Sequence, residues 1–144
     1  MHEKNMKSFR LIYLSLSLLF CDLAAANGIS EYGVYVYSNF CISKMSGDLT
    51  GNRITLIRTA DGDKVIYEYD DGQTNTLVAK KTGIDNSSRK MEFLLNDSGG
   101  VTTVINGEFS KDGKSLMLHH ALYGNSATTL NLISDFSIPI TYCK

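Results

Sequence analysis

The sequence predicts an all-β domain, a small antiparallel up-and-down β-barrel of about eight strands, with a two-sheet β-sandwich as the alternative. Three observations carry this expectation. Short runs of alternating apolar and polar residues recur from Tyr32 to Cys143 at the spacing of strands. Pairs such as Asp61–Gly62, Asp71–Gly72 and Asp112–Gly113 separate neighbouring runs. Tight hairpins favour such pairs because their turns need residues that tolerate positive φ. Finally, no run keeps a helical period for the ten or so residues a helix requires, so the crossover helices of a parallel sheet are missing and antiparallel pairing is expected.

The chain opens with a different kind of segment. Lys4, Lys7 and Arg10 precede the apolar stretch Leu11–Leu23, and Ala24, Ala25 and Ala26 stand before Asn27. A basic start, a short apolar run and small residues at the cleavage position make a secretory signal peptide over residues 1–26. The stretch falls short of the roughly 20 apolar residues that span a bilayer, and no second one follows. A single exported domain is expected over residues 27–144, located in the periplasm or outside the cell, with no integral membrane segment in the mature chain.

The strands follow in order. Tyr32–Tyr37 alternates Tyr35 and Tyr37 with Val34 and Val36. A Gly-rich connection, Ser43–Asn52, leads to Arg53–Thr59. Lys64–Tyr69 places Val65, Tyr67 and Tyr69 on one face, and Thr74–Lys80 comes next. The Asn86–Ser88 turn leads to Lys90–Leu95, and the Asn96–Gly100 turn to Val101–Phe109. Lys114–Ala121, Ala127–Ile133 and a last strand, Ser137–Cys143, complete eight or nine strands. Pro139 cannot donate to a ladder, so the last strand is expected at an edge or a bulge. Cys21 leaves with the signal peptide, and Cys41 and Cys143 are expected to form a disulfide in an oxidising compartment. Such a bond needs the first and last strands side by side, as closure of a barrel also does.

Composition excludes some partners. Removing the leader's three cations and two carboxylates from 14 and 15 leaves 11 Lys and Arg against 13 Asp and Glu. Neither sign clusters, so the basic surface that nucleic acid or anionic membranes require is absent. No cofactor or metal is expected. The pairs Asp61/Asp63 and Asp70/Asp71 are too few and too irregular for a calcium loop and read as turn residues. His119 and His120 are adjacent, so on a strand they point to opposite faces and cannot share one metal or one proton; one is expected inside or at an interface, the other in solvent. No nucleophile motif accompanies them.

The candidate binding residues form two groups. Met45, Asp48 and Leu49 lie in the long polar connection, and loops on a rigid scaffold often carry recognition. Tyr35, Tyr37, Tyr67 and Tyr69 combine a large apolar body with a polar tip, which suits core packing and also cavity walls. In architecture the expected barrel is similar to those of the lipocalin and calycin kind, with no motif that assigns a family. That resemblance implies an interior that is filled by side chains or holds one small ligand. Fold analogy does not license function. The leading expectation is an exported, non-catalytic binding protein that recognises a protein partner, such as a cell-wall hydrolase, through barrel-end loops. A lipocalin-like carrier of a small apolar ligand is the alternative, and a periplasmic enzyme the third.

Overall fold

The computed structural model describes residues 29–96, 99–122, 126–133 and 141–142. Their strands are β1 (Gly33–Ser38), β2 (Cys41–Ile42), β3 (Leu49–Thr59), β4 (Gly62–Asp71), β5 (Thr74–Val78) and β6 (Lys81–Asp85). After these come β7 (Lys90–Asn96), β8 (Thr102–Phe109), β9 (Ser115–Leu118), β10 (Thr128–Ile133) and β11 (Thr141–Tyr142). The expected all-β meander is present, as one curled antiparallel sheet. Hairpin follows hairpin from β3 to β5 and from β6 to β10, and β10 returns to pair with β1, where Val36 stands opposite Ile133. As a set of ladders the sheet is open: its path ends at β6, and β4 and β5 branch from β3. The two ends nonetheless touch, because Ala79 N donates to Val65 O and Lys80 N to Leu94 O, each at 2.9 Å.

Several boundaries differ from the expectation, each for a local reason. The first strand ends at Ser38, one residue past the expected Tyr37, and an unpredicted β2 follows Asn39–Phe40; there Asn39 N donates to Asn52 O and Phe40 N to Ser38 Oγ, and β1 and β2 share one edge of β3. Leu49 to Asn52 belong to β3 and not to the connection, which shortens to Ser43–Asp48. The run after Thr74 breaks at Ala79–Lys80 and resumes as β6, a strand the sequence reading did not place. Pairing is not wholly antiparallel either, since β11 lies parallel to β2, with Thr141 opposite Cys41. Pro139 and most of the expected last strand lie outside the described residues.

The Cys41–Cys143 disulfide needs correction. Among the described residues no disulfide bond joins two positions: Cys41 is their only cysteine, and Cys143 lies outside them. The Cys41 sulfur stands 3.7 Å from Thr50 Oγ1. What the described residues show joining the early chain to the C-terminal strand is backbone pairing of β2 with β11.

The alternation of each strand explains the core. Asn52, Ile54, Leu56 and Arg58 of β3 are buried, while Arg53, Thr55 and Ile57 between them are not. Val65 and Tyr67 of β4, and Met91, Phe93 and Leu95 of β7, face the same interior. Across from them sit Ile105 and Phe109 of β8, Leu116 and Leu118 of β9, and Leu130 of β10. The packing is tight enough that a Cβ added at Gly107 would come within 3.0 Å of Leu116 Cδ1 and 3.2 Å of Leu118 Cδ2. On the outer face, Arg53 grips Glu68 through two hydrogen bonds of 2.6 Å, and its guanidinium lies over the Phe40 ring.

The β6–β7 turn carries a pH-sensitive element. Side-chain and backbone hydrogen bonds from Ser87 and Ser88 hold the Asp85 carboxyl down to about 2. A carboxylate depressed by folding stabilises the native state above its unfolded pKa, near 4, and that stabilisation is lost as pH falls through the folded value. Asp85→Asn should therefore lower the thermal midpoint at pH 6, and the gap from wild type should close between about pH 4 and pH 2. A gap constant across that range would refute the assignment.

Candidate functional site

The direction of the strands sorts the connections to two ends. One end carries the Ser43–Asp48 turn, the β4–β5 turn and the segment after β9; the other carries the β3–β4, β6–β7 and β8–β9 turns. The first end holds the loop residues expected from the sequence. Ser43 N donates to Asp48 O at 2.8 Å and Gly47 N to Ser43 O at 2.9 Å, closing the turn on itself. Ser46 N and Asp48 N then donate to the hydroxyls of Ser43 and Ser46 at 3.4 and 3.3 Å. Met45 stands at the tip with 99% of its surface exposed. Asp48 is exposed, and Leu49 is half-buried at the start of β3, opposite Ile42.

A turn bonded in this way has lost most of its freedom before any partner arrives, and preorganisation is what lets a small surface bind. An exposed methionine on such a turn presents a flexible, polarisable apolar group at little further entropic cost.

The tyrosines are not brought together as one site. Tyr37 is fully buried and donates to Gly113 O at 2.8 Å, while burial pushes its phenol well above the ordinary value. Tyr35 is half-buried and donates to Tyr32 O at 3.1 Å. At the opposite end Tyr67 is fully buried against Phe93, with the half-buried Tyr69 stacked on it. The Tyr67 hydroxyl donates to Asn52 Oδ1 and accepts from Leu122 N, so the polar tips of both fully buried rings are engaged by the protein itself.

Buried and half-buried polar residues that the sequence does not single out organise both ends. Asn39 and Asn52 clasp each other: Asn39 N donates to Asn52 O at 3.0 Å, and Asn52 N to Asn39 Oδ1 at 2.7 Å. Asn39 Nδ2 reaches Thr128 Oγ1 at 2.8 Å. Gly51, at φ 119°, allows this approach, since a Cβ there would lie 2.9 Å from both Asn39 O and Asn39 Oδ1. At the other end Arg58 bonds Asp63 Oδ1 at 3.0 Å, and Ser30 O and Asn86 Oδ1 at 2.9 Å each. Beside it lies an open hollow of about 230 Å³ whose lining includes Tyr32, Arg58, Asp63 and Asn86. Strand parity was the available signal, because Asn52 and Arg58 fall on the face of β3 that also carries Ile54 and Leu56.

Asp63 and Asp70 of the acidic pairs behave as ion-pair and turn residues. Asp63 serves Arg58, and Asp70 accepts from Gly72 N at 2.8 Å and from the Thr74 hydroxyl. Among the described residues no three metal-ligating side chains converge. His119 and His120 are both exposed, so neither lies inside the sheet, one of the two placements expected for the inner histidine. His119 N still pairs with Asn106 O, which carries the chain one residue past β9 before it bends.

No family model matches the chain, and neither a curated protein nor a solved structure shows significant similarity to it.

Proposed function

We propose that this is an exported, non-catalytic binding protein that recognises another protein, such as a cell-wall hydrolase, through the end carrying the Ser43–Asp48 turn. The observation that carries the reading is the filled interior: Tyr37, Tyr67, Phe93 and Phe109 occupy the volume in which a carrier would hold its ligand. Recognition is then left to the outside, where Met45, the most exposed large apolar residue among those described, stands on a turn fixed by its own hydrogen bonds. The basic, apolar leader supports export.

The curled sheet is best read as closed. β5 and β6 are separated only by Ala79 and Lys80, whose amides reach β4 and β7 respectively. A single strand that pairs with β4 in its first half and with β7 in its second makes an eight-stranded barrel when β1 and β2 are counted as one. Closure removes sheet edges, which leaves loops as the recognition elements.

The test is a binding titration against purified peptidoglycan hydrolases, a muramidase and an amidase among them, with wild type and Met45→Asp. Wild type should bind and inhibit one of them, and Met45→Asp should weaken binding by roughly 30-fold, the effect of losing a hot-spot anchor. No hydrolase bound, with a small apolar molecule co-purifying, would favour a carrier instead.

A further inference from the structure

We infer that the Ser43–Asp48 turn and the His119–Leu122 segment form one preorganised face, held in fixed relation by Tyr67 acting through Asn52 and Asn39. This deepens the recognition reading above, because it makes the face composite and names a positioning residue within it.

The turn's internal bonds set its shape but not its position. Position comes from its base, the β2–β3 ladder that sets Ile42 opposite Leu49 and Cys41 opposite Thr50, and from Asn39 and Asn52, which exchange backbone and side-chain bonds just below it. From that clasp the bonds run in two directions, one to β10 and one to the second segment. Asn39 Nδ2 reaches Thr128, where the chain re-enters the sheet. Asn52 Oδ1 accepts from the Tyr67 hydroxyl, which in turn accepts the Leu122 amide at 3.2 Å.

Asn52 and Tyr67 are 2% and 0% exposed. No water is at hand to replace a broken link there, and buried polar networks are stable when fully satisfied and costly when half satisfied. Ala121, next to Leu122, is buried in the same core, so the segment is pinned on its apolar side too. The same end of the sheet therefore presents Met45 and Lys44 from the turn and His119 and His120 from the second segment, all exposed. It suits a protein with a recess for the methionine, since a protruding apolar tip is buried only by a concave surface.

Amide hydrogen exchange on wild type, Tyr67→Phe and Asn39→Ala tests the coupling. Tyr67→Phe keeps the ring against Phe93 and Tyr69 and removes only the hydroxyl. Exchange at Leu122 should rise about tenfold or more, and at Ser43 and Gly47 severalfold, with Met91 and Phe93 unchanged. Asn39→Ala should raise Leu122 exchange in return. A rise confined to Leu122 in the first variant, or to residues 43–52 in the second, would overturn the inference. If Tyr67→Phe accelerates every core amide, Asn39→Ala decides alone. The experiment needs no partner, so its failure is separate from failure of the hydrolase titration.

Discussion

Phe93→Ala should destabilise the domain by roughly 3–5 kcal/mol, the range for a fully buried phenylalanine whose surroundings relax only in part. Phe93 has no exposed surface, packs against Tyr67 at a ring distance of 6.0 Å, and sits between Met91 and Leu95 on the inward face of β7. Two kinds of loss add: the transfer free energy of the ring, and the contacts that its neighbours forfeit across the void. Against the 5–15 kcal/mol typical of a domain, this is a large share. The urea midpoint should fall steeply with little change in slope. A loss below about 1 kcal/mol would mean that the interior is loosely packed, contrary to the tight approach of Leu116 and Leu118 to Gly107.

Asp63→Ala should be nearly as damaging, for an electrostatic reason. The Arg58 side chain is 6% exposed and Asp63 16%, with Nε and Oδ1 3.0 Å apart. Removing the carboxylate leaves a buried guanidinium whose remaining acceptors, Ser30 O and Asn86 Oδ1, are neutral. Breaking one side of a buried pair costs about 3–5 kcal/mol, whereas replacing the pair by apolar groups is often close to neutral. Arg58→Met in the Asp63→Ala background should therefore recover much of the loss, which denaturation of the two single variants and the double variant would show. If Asp63→Ala costs less than about 1 kcal/mol, the pair behaves as a solvated surface bridge.

Much of this fold was legible in the chain because strands advertise themselves by parity. Ile54 and Leu56 on β3, or Met91, Phe93 and Leu95 on β7, name their own inward face. The Asp–Gly pairs marked real turns: Gly62 and Gly72 hold φ of 120° and 103°. What parity does not reveal is where a strand breaks. Ser38–Asn39 carries turn chemistry without glycine or proline, Ala79–Lys80 carries none, and both irregularities are fixed by partners distant in sequence, Asn52 for the first and Val65 and Leu94 for the second. The candidate site divides in the same way. Ser, Gly and Asp between two strands marked the Ser43–Asp48 turn, but the full exposure of Met45 depends on a hydrogen-bonded shape that composition does not encode. Tyr67 stood out as one of several tyrosines, yet its tie to Leu122 spans 55 residues. Compartment and cysteine number say nothing of geometry, and within the described residues the early chain and the C-terminal strand meet through β2 and β11.

The central claim is that side chains fill the interior and recognition belongs to the loops. The most direct measurement is a fluorescence titration with an apolar naphthylamine dye, run on wild type and on Phe93→Ala at a temperature where both are folded. Wild type should show no saturable enhancement, and in a parallel titration with benzene, a guest small enough for the cavity that Phe93→Ala opens, only the variant should bind. Saturable dye binding by wild type, displaced by an extracted lipid, would contradict the account and place the ligand site inside the sheet.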